Sequence, residues 1–186
     1  MRFLIRLRDT GVPGEKLLAT VRTVAKTLGV GPRNPKWTSY GALELDVFAL
    51  SRADFELFVS AVNPLAEVEF TRDLNLAPPH KAEPELFDEA RRLFNGERYW
   101  ECHEVLEGLW RTKQGEEKSL LQGIILICTA FVHHQKGEEE IAIGVLARAI
   151  KQLTYPKPEY GGFVVTDLKR EVEGIIASRV FYCFRV

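Results

Sequence analysis

The chain has 186 residues and a formal net charge of −1, with 46% hydrophobic and 27% charged residues. That composition supports a packed core and excludes a disordered chain, while the near-neutral charge excludes a general pull towards nucleic acid or an anionic membrane. No apolar run reaches the ~18 residues of a membrane span, and the three cysteines, Cys102, Cys128 and Cys183, form no CxxC pair, which points to a reducing cytoplasm.

Residues 2–8 alternate Phe3, Ile5 and Leu7 with arginines and predict a strand, not a signal peptide. Pro13 opens a helical pattern through Leu17, Leu18, Val21, Val24, Ala25 and Leu28, closed by Gly29. Two short strands follow at about 36–40 and 42–49, around Gly41. Ser51 caps a helix carrying Phe55, Phe58 and Val62, which stops before Pro64, and residues 66–73 alternate as a fourth strand. The order βαββαβ predicts a ferredoxin-like α/β sandwich over residues 1–74. Its open face sets Arg2, Arg6 and Arg8 against Glu44, Asp46, Glu67 and Glu69, so the charges cancel and no nucleic-acid surface is expected.

Residues 75–83, with Pro78 and Pro79, read as a linker. From there the period changes from 2 to 3.6, and residues 84–178 predict a bundle of about five helices: 85–94, 97–112, 120–134, 141–153 and 166–178. The fold class is therefore α+β. The tail, 179–186, is aromatic and β-prone, and is expected to add a strand to the first domain's sheet or to pair with a second copy as a homo-oligomer.

The second helix of the bundle is the place where chemistry concentrates. At about 100° per residue, Tyr99, Cys102, Leu106, Leu109 and Trp110 make an apolar stripe, and Trp100, His103, Glu104, Glu107 and Arg111 make another face. His103 and Glu107 stand one turn apart and can hold one ion between them. Imidazole and carboxylates at this spacing suit Zn, Mn or Fe, with Glu104 or Glu101 as base for a metal-bound water. On the apolar third helix, Gln122, Thr129 and His133 lie on one line, because offsets of seven and eleven residues return a helix to within about 20°. A buried polar group without a partner costs about 1–3 kcal/mol. His133 and Gln122 are therefore expected to face His103, Glu104 and Glu107 within hydrogen-bond reach. The competing reading makes the same residues a structural network that fixes helix register. Cys102 and Cys128, on apolar faces, read as small core residues.

The run from Phe94-Asn95-Gly96 through Tyr99-Trp100-Glu101-x-His103-Glu104-x-Leu106-Glu107-x-x-Trp110 resembles the signature of the bacterial and archaeal family called domain of unknown function 309. That family continues with a Leu-Gln-Gly-Ile run and a His eleven residues after the Gln, here Leu121 to Ile124 and His133. The resemblance covers about residues 84–178, and the chain departs from it at Gly137-Glu138, where the family has Gly-Asn. It implies an all-helical domain and the label of a predicted metal-dependent hydrolase; it says nothing of the first 74 residues. Two function classes result. One is a metal-dependent hydrolase of a small molecule, with His103, Glu107 and His133 as ligands and Trp100, Gln122, Trp110 and Arg111 in support. The other is a non-catalytic helical module with a structural polar cluster and a ferredoxin-like domain that binds a partner or ligand.

Overall fold

The computed structural model describes residues 1–8, 14–76 and 81–186. The proposed helix opener Pro13 and the linker residues Pro78 and Pro79 lie outside them. The chain divides into two compact units, Met1–Pro79 and His80–Val186.

The first unit runs β1 (Arg2–Arg8), α1 (Gly14–Thr27), β2 (Gly31–Trp37), β3 (Leu43–Phe48), α2 (Arg52–Val62) and β4 (Glu67–Asp73), in a four-stranded antiparallel sheet of order β2-β3-β1-β4. Strand period 2 sends Phe3, Ile5 and Leu7 to the helix side, where they join Leu17, Val21, Phe55 and Phe58 in one core. Phe3 stacks on Phe55 at 4.1 Å between centroids. On the other face Arg2 reaches Asp46 at 2.8 Å, Arg6 reaches Glu44 at 2.8 Å and Arg8 reaches Glu69 at 2.6 Å, the expected cross-strand charge pairing. Lys36 adds a second cation to Glu44, and the Arg6 guanidinium lies 5.1 Å from the Phe70 ring centre.

Two local expectations hold differently. Ser51 caps α2 as expected: its hydroxyl accepts from the Asp54 N–H at 3.2 Å, and the Asp54 carboxylate accepts from the Ser51 N–H at 2.9 Å. The second strand, however, is Gly31–Trp37, not 36–40. Pro32 and Pro35 fall within it, which the sheet allows because β2 is its edge, where a missing N–H is tolerated. Its register shifts between Arg33 and Lys36, with Asn34 at φ 51°.

The second unit runs α3 (Glu83–Asn95), α4 (Tyr99–Trp110), α5 (Gly115–His134), α6 (Glu139–Ala149), β5 (Glu159–Tyr160), β6 (Phe163–Val164) and α7 (Val165–Ser178). α5 buries ten residues, among them Leu121, Ile124, Cys128 and Phe131, and packs between α4 and α6. Gly123 lets the chain after α6 come close, since a Cβ there would stand 2.7 Å from Leu153 Cδ2. No helix among the described residues is long and apolar enough to cross a membrane.

The β5–β6 hairpin corrects the all-helical reading of residues 84–178. Gly161 and Gly162 take φ +58° and +82°, the two-residue turn that only glycine adopts freely. A Cβ at Gly161 would sit 2.3 Å from the Phe87 ring. The tail is the second correction: residues 179–186 form no strand. Their aromatic rings find the bundle instead. Phe181 stacks on His134 at 4.5 Å, and Phe184 lies 5.4 Å from Phe94 and 5.7 Å from Phe131. The Asn95 amide donates to Val186 O and accepts from Val186 N, both at 2.9 Å.

Tyr99, fully buried beneath this tail, has a phenol pushed well above its ordinary range by burial and by the Cys183 thiol, 3.6 Å from its hydroxyl. A group whose folded pKa is raised contributes stability below its unfolded pKa, about 10 for tyrosine, and loses it as pH rises beyond that value. Tyr99→Phe is therefore expected to flatten the alkaline limb of the stability curve, measured by urea midpoints between pH 8 and 11 as a rough range.

Candidate functional site

α4 begins at a strained corner. After Asn95-Gly96 the left-handed residue is Glu97, at φ 55°, while Gly96 keeps φ −92°. The corner closes through Arg98 N–H to Leu93 O at 2.9 Å, and Gln135 at the end of α5 donates its side-chain amide to Glu97 O at 3.0 Å. Gln135 is buried. It holds the site's opening turn and was missed in the sequence, where it follows His133 and His134 as one more polar residue at a helix end.

The apolar stripe of α4 is as expected for Tyr99, Cys102, Leu106 and Leu109, all buried, with Trp110 partly buried beneath Lys118, whose ammonium lies 4.2 Å from the ring centre. Glu101 joins the buried side. It is 4% exposed, and Arg98 grips it with Nε and Nη2 at 2.5 Å each. Two charge-assisted bonds from one guanidinium tie this carboxylate firmly to the turn before the helix.

The outer face presents Trp100, 41% exposed, with its ring parallel to His103 at 5.2 Å and 10°. Residues three apart on a helix are neighbours, which brings the two rings together. Glu104 follows, with Oε1 3.5 Å from His103 Nδ1. That Nδ1 is itself buried and without a hydrogen bond. One turn on, Glu107 accepts from Arg111 at 3.1 Å.

The residues expected from α5 do not complete this face by hydrogen bonding. His133 Nδ1 pairs with Glu138 at 2.5 Å, and His134 Nδ1 with Glu139 at 2.7 Å. Thr129 turns its hydroxyl back to Ile125 O at 2.9 Å, and Gln122 is half-buried. Among the described residues no hydrogen bond joins His103, Glu104, Glu107, Gln122 and His133 into the expected cluster, because each ionisable member except Glu104 and His103 finds a partner within about one turn. Glu138, the position at which the sequence departs from the expected pattern, is the imidazole's partner. Among the described residues no three His, Cys, Asp or Glu side chains stand together as a group that could hold a metal ion. His103, Glu107 and His133 as arranged do not fit Zn, Mn or Fe. A cleft of about 520 Å³ lies elsewhere, between α3 and the hairpin, lined by Glu83, Phe87, Asp88, Arg91 and Tyr160 among others.

A family model described as a domain of unknown function (DUF309) matches residues 87–145. Among solved structures, the chain is similar to the crystal structure of a conserved hypothetical protein from Thermus thermophilus, with 31% identity, 49% of this chain and 95% of that one covered, and a TM-score of 0.44. No curated protein matches the chain.

Proposed function

We propose, from the premise that the chain belongs to the DUF309 family through residues 87–145, that it is a non-catalytic binding protein. Its helical half is a rigid module whose acid and imidazole groups are structural. Its βαββαβ half is read as a ferredoxin-like domain that takes a partner or small ligand. The observation that carries this reading is the doubly held Glu101, with Arg98 at 2.5 Å on both oxygens. A base that must collect a proton gains nothing from two permanent donors. A cytoplasmic setting is part of this reading, supported by three cysteines, Cys102, Cys128 and Cys183, that form no CxxC pair. Tail-mediated oligomerisation is not part of this reading, because Phe181, Phe184 and Val186 already pack on their own bundle.

A second reading, the metal-dependent hydrolase, is favoured by one atom: the buried His103 Nδ1 that lacks a hydrogen bond beside the exposed Glu104. Elemental analysis of protein purified without a His tag separates the two. Less than stoichiometric Zn, Mn and Fe is expected; one ion per chain overturns the first reading in favour of the second.

His133→Ala gives an independent check. The His133–Glu138 pair is partly exposed, so its loss is expected to cost about 0.5 kcal/mol. Thermal melts of wild type and variant, with and without chelator, should differ by that small amount and show no chelator shift. A chelator shift present in wild type and absent in the variant would make His133 a ligand.

A further inference from the structure

The three cysteines of the chain come from α4, α5 and the tail, yet two of them meet in the core. Cys102 Sγ and Cys128 Sγ lie 3.4 Å apart, and neither residue is exposed. The third, Cys183, is exposed and sits against the Tyr99 hydroxyl at 3.6 Å. A sulfur–sulfur contact of this kind is more than two small apolar residues sharing a core. The sulfurs need to close by about 1.4 Å to reach the 2.03–2.05 Å of a disulfide, between two helices packed against each other.

We propose that Cys102 and Cys128 are a reversible redox pair, joined as a disulfide when a peroxide oxidises the chain. The thiolate of one cysteine attacks a peroxide oxygen. The O–O bond breaks, and the leaving oxygen departs as water after taking a proton, leaving a sulfenic acid. The second sulfur attacks the first, the S–O bond breaks and a second water leaves with the second thiol proton. Two thiols lose two electrons and two protons, and the peroxide becomes two waters.

Burial raises the Cys128 thiol well above its ordinary range. Thiolate is therefore scarce in the closed protein, and oxidation waits on local opening of α4 from α5. The pair is a slow sensor of sustained oxidation and not a peroxidatic centre. Its consequence falls on the outer face of α4, because Cys102 directly precedes His103. The bond would tether α4 to α5 across a sequence separation of 26 residues and hold the Trp100–His103 face in place. The sulfur geometry alone carries the redox pair, whether that face binds a ligand, a metal or neither.

The test uses the full chain carrying Cys183→Ser, which removes the exposed thiol and with it dimers linked through the tail. The protein is treated with hydrogen peroxide, unfolded, blocked with iodoacetamide and digested without reductant for mass mapping. Met1, the single methionine and 48% exposed, reports oxidant delivery through its sulfoxide. Under sustained exposure continued well beyond complete Met1 conversion, most of the protein is expected to yield a Cys102–Cys128 linked peptide, two hydrogens lighter than the separate pair and lost on dithiothreitol treatment. The oxidised form should melt higher than the reduced one, and Cys102→Ala in the same background should show neither effect. Both cysteines still recovered blocked by iodoacetamide after that sustained exposure, with Met1 fully converted, overturns the proposal, as does sulfinic or sulfonic acid at either residue without the link.

Discussion

Arg98→Ala is expected to destabilise the helical domain by about 3 kcal/mol, well beyond what a surface ion pair contributes. Glu101 is 4% exposed, and its two oxygens each receive an Arg98 bond of 2.5 Å. Removing the guanidinium takes two charge-assisted bonds from a buried carboxylate, and desolvation dominates the cost. Arg98 keeps about a quarter of its own side chain in water, which sets the figure at the low end for a buried pair. Urea unfolding followed by far-ultraviolet circular dichroism measures the loss. The double variant Arg98→Ala/Glu101→Leu should recover part of it, since a pair replaced by apolar groups is close to neutral where a broken pair is not. If the single and double variants lose the same stability, the two side chains are not coupled, and the structural assignment of Glu101 goes with them.

Phe131→Ala is expected to cost about 4 kcal/mol. Phe131 on α5 is fully buried and touches rings from three other segments: Phe94 of α3 at 5.9 Å, Tyr99 of α4 at 4.6 Å, and Phe181 and Phe184 of the tail at 5.6 and 5.7 Å. Truncation leaves a cavity that no single segment can close, because every neighbour is itself held by another ring. The same variant should raise the accessibility of the tail to proteases. A cost below about 1 kcal/mol would mean that the ring cluster relaxes into the gap.

The sequence made the four-stranded sheet and the helical half legible because each carries a clean period. Phe3, Ile5 and Leu7 alternate, and Tyr99, Cys102, Leu106 and Leu109 recur at helical spacing. β2 begins earlier than expected, at Gly31, because an edge strand takes Pro32 and Pro35 without losing a ladder bond and so carries no clean alternation. The small hairpin was overlooked because two residues per strand carry no periodicity, although Gly161-Gly162 between Glu159-Tyr160 and Phe163-Val164 is a turn signal. At the site, the helix wheel correctly set Trp100 beside His103 and Glu107 one turn from Arg111. It could not rank partners by distance. Helical offsets, with the need of a buried polar group for a partner, sent His133 across to α4, when its partner is Glu138, five residues on. They also left Glu101 available, because one turn of helix geometry does not show that Arg98 folds back over it.

The amide of Asn95 binds both backbone groups of Val186, across 91 positions of sequence. Most other contacts of the helical domain run between helices consecutive in the chain, α3 with α4, α4 with α5 and α5 with α6. Such neighbours meet early in folding, because the loops that join them close at little entropic cost. The Asn95 clasp closes a loop of 91 positions and is expected to form late, after the rings it covers are assembled. Disturbing it should accelerate unfolding and leave the folding rate nearly unchanged, which places the tail's contribution in the domain's lifetime rather than in the route by which it forms.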